Sequence, residues 1–316
     1  MRPLCGRIRI DNCHVQSKPS AMDPPRFLIQ APEARSLELE QSSALPLTHF
    51  LLSLVSSALS LARPPISNFP VAAVGLGSSG RIFIGVNLEF PGLPLHQTVH
   101  AEQFLLTNLS LNAEPRLEYL VVSSAPCGHC RQFLQELRHA PNIKLLIASD
   151  ESRDFTPLSK FLSHRFGPRD LLPDEVPLLL EPRHNGLSIL DESHDLANGY
   201  IANEELKRAA LEAANKSHAP YSGFPSGVAL MDAGGKIYQG SYMESAAFNP
   251  SMGPVQAALV AFVAGGGGKY EAIVAAVLVE KKGATVKQEG TARLLIQSIA
   301  PKCQFRAVLC CSGAPH

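Results

Sequence analysis

Two short runs carry the residue types that could do chemistry: His100-Ala101-Glu102 and, further along, Pro126-Cys127-Gly128-His129-Cys130. Cys127 and Cys130 are three apart, so at the first turn of a helix both sulfurs fall on one face. A helix N-terminus exposes unpaired N–H groups and the positive end of the dipole, which favour thiolate over thiol. Two thiolates and one neutral imidazole, from His100, balance the charge of Zn²⁺ and leave its fourth position open. Three protein ligands and a water make the pattern of a catalytic zinc site, not a structural one. Zinc lowers the pKa of such a water from about 15.7 to roughly 7. Glu102 is then the candidate proton shuttle.

Other uses of these residues have to be weighed. A C-x-x-C pair alone fits a redox couple or half of a structural zinc site. A second C-x-x-C is absent from the chain, and a redox pair needs no H-x-E upstream. His129 is an alternative third ligand, although between the two cysteines it would have to reach a metal already held by its neighbours. A geometric condition also follows. Residues two apart on a regular helix point to different faces, so His100 and Glu102 share one site only if His100 lies at the very start of its helix.

The elements around these motifs can be read from periodicity. His49 to Ala62 places Leu51, Leu54, Val55, Ala58, Leu61 and Ala62 at helical spacing and stops at Pro64-Pro65. Strand-like runs cover Val71 to Leu76 and Arg81 to Asn87, with Gly77-Ser78-Ser79-Gly80 as a hairpin turn. A helix follows Thr98, a strand covers Glu118 to Ser123, a helix runs from about Cys127 to Leu137, and a strand covers Ile143 to Ala148. This α-β-β-α-β-α-β order favours a mixed sheet flanked by helices.

From about Asp150 to Asn198 the composition is polar and irregular, and then the chain starts again with a helical pattern over Glu204 to Asn215. Laying Pro65–Glu89 over Pro220–Glu244 without gaps gives eight identities in 25 positions, among them Phe69/Phe224, Gly85/Gly240 and Glu89/Glu244. Ordinary residue frequencies would give about one or two. The chain therefore reads as a duplicated domain. With a one-residue insertion, His100-Ala101-Glu102 falls opposite Gln256-Ala257-Ala258, and no cysteine stands just after the matching strand, Ile273 to Val279. The second copy lacks ligands and proton shuttle, so one zinc per chain is expected. The expected division is an extension over 1–21, an N-terminal segment over 22–47, a catalytic domain over 48–172, a connector over 173–199 and a degenerate copy over 200–316.

Bulk properties restrict the partners. Lys+Arg and Asp+Glu both total 28 of 316 residues, so the formal net charge is zero, and Trp is absent. A protein held to nucleic acid through phosphates normally carries a basic excess. No run of 18 or more apolar residues suggests a membrane span. The first 21 residues carry Arg2, Arg7, Arg9 and Lys18 without an apolar core of signal-peptide length. They read as a disordered tail ahead of an internal start at Met22, or as a weak targeting peptide. Seven cysteines, with Cys5 and Cys13 in the tail and Cys303, Cys310 and Cys311 near the C-terminus, form no disulfide framework. A reducing compartment, the cytosol, fits best.

Together the two motifs satisfy the H-x-E … P-C-x-x-C signature of zinc deaminases. With Ile66-Ser67-Asn68-Phe69, Gly85-Val86-Asn87-Leu88-Glu89-Phe90 and Arg165-Phe166-Gly167-Pro168, the chain resembles the cytidine deaminase family from about Met22 to Phe305, in its long, two-domain, homodimeric form, and most of all its plant members. The resemblance implies a three-layer α/β/α fold with a mixed sheet, duplicated, and deamination of cytidine and deoxycytidine in pyrimidine salvage. It implies that Asn87 and Glu89 bind the ribose 3′-hydroxyl and that Phe69 packs on the pyrimidine ring. The Ala101 N–H and the Ala125 carbonyl would meet the cytosine edge, and Phe166 would reach into the partner subunit's site. It further implies that the second copy, with Tyr242 in place of Asn87, packs on the first and helps close its site.

Three functions compete at this level. A nucleoside deaminase is favoured over a polynucleotide deaminase by zero net charge and by Glu89, whose carboxylate would repel the next phosphate of a chain. An inactive zinc-binding scaffold is disfavoured by the intact His100, Glu102, Cys127 and Cys130. A deoxycytidylate deaminase would need a basic cluster for the 5′-phosphate, and none stands beside the motifs.

Overall fold

The computed structural model describes residues 26–41, 47–190 and 204–312. The expected extension over 1–21, the start at Met22, Cys5 and Cys13, and the end of the expected connector lie outside the described residues.

The first sheet is built on the hairpin of β2 (Ala72–Gly77) and β3 (Ile82–Val86), whose turn closes through Gly80 at φ 78°, a backbone state that glycine adopts freely. β4 (Leu117–Val122) pairs antiparallel with β2, and β5 (Lys144–Ile147) pairs parallel with β4. Short edge strands β1 (Leu28–Ile29) and β6 (Thr156–Pro157) complete the order β1-β3-β2-β4-β5-β6. The inner strands are apolar almost throughout because both faces are covered. Covering them are α2 (Leu47–Ala58), which buries Leu51, Leu54, Val55 and Ala58, and α3 (Ala101–Leu111). Helices α1 (Ala31–Gln41), α4 (Gly128–Phe133) and α5 (Pro168–Leu171) complete this copy, and α4 buries Cys130 and Phe133.

The second sheet repeats this plan. Strands β8 (Ser226–Asp232), β9 (Ile237–Ser241), β10 (Ile273–Lys281) and β11 (Gln304–Ser312) stand in the order β9-β8-β10-β11, with the same single parallel pair, β10 with β11. Here α6 (Glu204–Asn215), α7 (Pro254–Ala264) and α8 (Glu289–Ile299) supply the helices. Two glycines show that the helices lie on opposite faces. A Cβ on Gly227 would strike α6 at Ala214 N, 2.2 Å away, and one on Gly240 would strike α7 at Ala258 N, 2.0 Å away. Val228 sits opposite Gly240 across the β8–β9 pair, so Gly227 and Gly240 face opposite ways. The fold is thus the expected three-layer α/β/α arrangement, present twice.

Some boundaries differ from expectation. The helix expected to reach Ala62 is α-helical to Ala58 and tightens to a 3₁₀ turn over Leu59–Leu61. The helix expected over Cys127 to Leu137 is α4 followed by a 3₁₀ turn over Leu134–Glu136. The segment read as a connector contributes β7 (Leu187–Ile189), which pairs antiparallel with β11, so the second sheet takes strands from before residue 200. Likewise β1, from the N-terminal segment, pairs with β3.

The two copies share one apolar core that runs through α3 and α7. Their polar contacts are reciprocal. Gln103 Nε2 donates to the Pro250 carbonyl at 3.1 Å, and Gln256 Nε2 donates to Gln97 Oε1 at 2.7 Å. Glu136, fully buried just after α4, accepts from the second copy at three points: Ala246 N–H at 2.8 Å, Tyr221 OH at 2.6 Å and His218 Nε2 at 3.3 Å. A buried carboxylate without such partners would cost several kcal/mol, about 3–5 for a broken buried pair, so this contact fixes how the copies sit.

Candidate metal centre and active site

His100 is the N-cap of α3, with extended backbone (φ −79°, ψ 156°), and Glu102 lies in the first turn. This meets the condition set by their spacing: the imidazole leaves the chain before helical geometry begins, so it can share a site with a carboxylate two residues on. Cys127 is the N-cap of α4, and Cys130 follows in its first turn. The N-termini of two helices therefore converge. His100 Nδ1 lies 3.5 Å from Cys127 Sγ and 3.3 Å from Cys130 Sγ.

Those separations suit a shared metal. Ligands at about 2.3 Å (S) and about 2.0 Å (N) on a tetrahedral centre stand about 3.5 Å apart. His100, Cys127, His129 and Cys130 form the candidate metal cluster among the described residues, their ligand atoms all within 4.8 Å of one another. His129 already has its Nε2 2.9 Å from the Asn249 carbonyl of the second copy. The electrostatics agree with the donor set. Hydrogen bonds from the Cys130 thiol and the His100 imidazole pull the Cys127 thiol down to about 3, while that neighbour and burial push Cys130 up. Two thiolates this close repel, and a dication is what lets both ionise.

Glu102 is 4% exposed, and burial raises its carboxyl above the usual range, against the opposing pull of its own backbone N–H, Cys130 and His100. A carboxyl held up in this way keeps its proton more readily than a free one, which suits a group that must both take and return a proton.

The other expected residues come from the loop after α2, the segment after β3, the start of α3, the loop before α4 and the loop before α5. Phe69 is exposed, in the loop between α2 and β2. Asn87, at the end of β3, holds that loop: its Oδ1 accepts from Val71 N–H at 2.9 Å and its Nδ2 donates to the Phe69 carbonyl at 3.0 Å. Glu89 accepts from Ile66 N–H (2.8 Å), Ser67 N–H (2.9 Å) and Ser67 Oγ (2.5 Å). Burial works to raise the Glu89 carboxyl, but those hydrogen bonds outweigh it and hold it low. Ala101 is the first residue of α3, and Ala125 is exposed in the loop before α4. Phe166 is exposed, and its link to the cluster is indirect: its carbonyl accepts from Gln132 Nε2, on α4, at 2.7 Å.

One expectation is overturned. The segment matching His100-Ala101-Glu102 is Gly253-Pro254-Val255, not Gln256-Ala257-Ala258. A Cβ on Gly85 would strike Ala101 O and Leu105 N, while a Cβ on Gly240 would strike Pro254 O and Ala258 N, which fixes Ala101 opposite Pro254. Bridges between Leu88 and Val99 and between Met243 and Met252 repeat the same register. The loop before α7 is shorter than its counterpart, whereas the sequence reading allowed a one-residue insertion there and so slid past the helix start. The second copy still lacks ligand and carboxyl. Gln103 and Gln256 become equivalent, and with Glu136 they are residues the sequence reading missed; the shared glutamine was the available signal once the register was right.

A histidine, two cysteines and a buried carboxyl at paired helix starts over a mixed sheet define a zinc-dependent deaminase type of site. Residues 48–146 and 158–293 each match a family model described as the cytidine and deoxycytidylate deaminase zinc-binding region. Cytidine deaminase 1 of Arabidopsis thaliana is 57% identical over 300 residues, which covers 92% of this chain and 99% of that protein. Cytidine deaminase 6 of the same plant is 49% identical over 90% and 98% of the two chains, and the cytidine deaminase of Proteus mirabilis is 42% identical over 75% of each. The chain belongs to the cytidine deaminase family, a zinc-binding family.

Proposed function

We propose that this chain hydrolyses cytidine and deoxycytidine to uridine and deoxyuridine with release of ammonia. The observation that carries the reading is the buried Glu102 carboxyl set among His100, Cys127 and Cys130. These three side chains are the proposed zinc ligands, and zinc held there supplies Lewis-acid activation of a water at neutral pH. Glu102 takes a proton from the attacking water and delivers it to ring N3 as oxygen bonds to C4. It then carries the remaining hydroxyl proton to the amino group, the C4–N bond breaks, and ammonia leaves.

The hydrogen-bond inventory supports the nucleoside assignment. A carboxylate has about four lone-pair sites and an amide nitrogen two protons. Glu89 has three acceptor sites in use and Asn87 one Nδ2 proton, so one acceptor and one donor remain for a ribose hydroxyl. Phe69 would stack on the ring, and the Ala101 N–H and Ala125 carbonyl would read the cytosine edge. Residues 48–172 act as the catalytic unit and 200–316 as the degenerate one. Phe166 would serve the partner's site in a homodimer. The cytosol is the proposed compartment: Cys127, Cys130, Cys303, Cys310 and Cys311 are free thiols, and no helix among the described residues is long and apolar enough to cross a membrane.

The test is ammonia release from cytidine, deoxycytidine, deoxycytidylate and a cytosine oligonucleotide, with zinc quantified, for the native chain and Glu102→Ala. Turnover of the two nucleosides, lost in the variant by about 10²–10⁴-fold with zinc retained, is expected. Turnover surviving in Glu102→Ala removes the shuttle, and preference for the oligonucleotide removes the nucleoside reading.

A further inference from the structure

The second copy has lost its ligands but has kept a pocket. An open cavity of about 610 Å³ lies at the start of α7, where Gly253 stands in the place of His100 and Val255 in the place of Glu102. Loop residues 95–98 of the first copy close it from the other side. By the reciprocal packing of the copies, this loop stands to the second copy's pocket as the loop before Gly253 stands to the metal site. The size lies within the roughly 300–1,000 Å³ typical of small-molecule sites.

Its lining is specific in kind. Gln97, Tyr242, Ser251, Gln256, Gln288 and Thr291 bring neutral hydrogen-bonding groups, while Val255 and Ala292 give an apolar wall. The first-turn amides of Val255 and Gln256 have no intrahelical acceptor, as at any helix start. Among the described residues, no lysine, arginine, aspartate or glutamate lines the cavity. A phosphate or carboxylate would find no lysine or arginine there, only the histidines His96, His100 and His129, whereas a ring-plus-sugar ligand could use both the amides and the apolar wall. His100 and His129 border the cavity at one end, so it adjoins the metal site without containing Glu102, Asn87 or Glu89.

We propose that this cavity is a second, non-catalytic binding site for an uncharged nucleoside-sized ligand, distinct from the site of turnover. The test uses the full-length zinc-loaded protein and labelled uridine in equilibrium dialysis. Thr291→Trp, at an exposed position on the first turn of α8, places an indole in the cavity, and Ala292→Phe fills it from the wall. Each variant is expected to bind one uridine fewer per chain than the native protein, with cytidine turnover within about twofold of native. Uridine 5′-monophosphate is expected to compete at this site at least tenfold more weakly than uridine. Equal uridine counts in the native chain and Thr291→Trp overturn the proposal, as does equal competition by the monophosphate. The readout is a difference in bound equivalents, so it stands apart from the assay of ammonia release, and failure of either reading is recognisable by itself.

Discussion

The two copies are most informative where they agree. In both, a glutamate after the second hairpin strand ties down the preceding loop with the same three bonds: Glu89 holds Ile66 N, Ser67 N and Ser67 Oγ, and Glu244 holds Tyr221 N, Ser222 N and Ser222 Oγ. In both, a serine hydroxyl accepts from the N–H of the following phenylalanine, Phe69 or Phe224, at 3.1 Å. In both, a glycine in the second strand lets the helix approach, and a glutamine in the first turn reaches across to the other copy. They differ at His100/Gly253, Glu102/Val255 and Asn87/Tyr242. The shared residues hold the loops and join the copies, and the residues proposed for the chemistry are among the few that differ. Glu89 belongs to the shared set, since Glu244, in a copy without the metal-site residues, keeps the same loop contact.

The sharpest way to break this comparison is to give the catalytic copy the residues of the other. His100→Gly should remove bound zinc and turnover together, and Glu102→Val should remove turnover by about 10²–10⁴-fold while zinc stays. The reverse exchange, Gly253→His with Val255→Glu, should create no activity, because no cysteine follows β10 before Cys303. Zinc content and ammonia release, measured on all three, would refute the division if His100→Gly kept its metal.

Next in size are the paired glycines. Gly85→Ala pushes a methyl into Ala101 O at 2.2 Å, and Gly240→Ala pushes one into Ala258 N at 2.0 Å. Each should cost about 1–3 kcal/mol or more from overpacking. Only Gly85→Ala displaces the start of α3, where His100 and Glu102 sit, so its kcat should fall further than that of Gly240→Ala at equal loss of Tm. Equal kcat in the two variants would mean that the position of α3 is not what the site depends on.

Much of this was legible in the sequence because the signals were local. The spacing of His100, Glu102, Cys127 and Cys130, the Gly-Ser-Ser-Gly turn and the repeat of strands β2 and β3 are each contained within a few residues, and periodicity placed the helices around them. What escaped was set by pairs distant in the chain. The length of the loop before α7 fixed the register of the second copy, and the helix–strand contact at Gly240 and the Met243–Met252 bridge reveal it. Glu136 carries no local signal, because its partners at His218, Tyr221 and Ala246 are about eighty to a hundred and ten residues away. β7 is three residues long and is a strand only because β11 offers it an edge.

A smaller effect tests the ribose role proposed for Glu89 against its loop contact. Glu89→Gln and Glu244→Gln each weaken the same three loop bonds, so each should lower stability by a similar amount, on the order of 1 kcal/mol. If the ribose also depends on the Glu89 carboxylate, Glu89→Gln should raise KM for cytidine about tenfold, a further 1.4 kcal/mol, while Glu244→Gln leaves KM unchanged. Thermal melts and initial rates decide it: matched shifts in Tm with unmatched KM support the double role. A rise in KM for Glu244→Gln would place the effect in the loop alone.

The smallest expected difference lies in the hairpin turns, which the copies secure by different means. In the first, the buried Glu114, from beyond α3, accepts from Ser79 N and pairs with Arg81 at 2.8 Å. In the second, Asp232 closes its own turn through Gly234 N at 2.9 Å, Lys236 N at 3.0 Å and Tyr238 OH at 2.8 Å. Burial works to raise both carboxyls, and hydrogen bonds, from Ser79 to Glu114 and from Tyr238 to Asp232, outweigh it, so both sit below their ordinary values. An acid whose folded pKa is depressed stabilises the fold above its unfolded pKa, near 4.3 for Glu and 3.9 for Asp. That contribution is lost as pH falls through the folded value. Glu114→Gln and Asp232→Asn should therefore melt below the native chain at pH 7, by about 2–4 °C per kcal/mol lost, and the gap should narrow as pH falls below about 4. The narrowing should be greater for Glu114, whose carboxylate has a guanidinium to lose and no water to replace it. A gap that stays constant with pH would mean that the two turns are held by shape and not by charge.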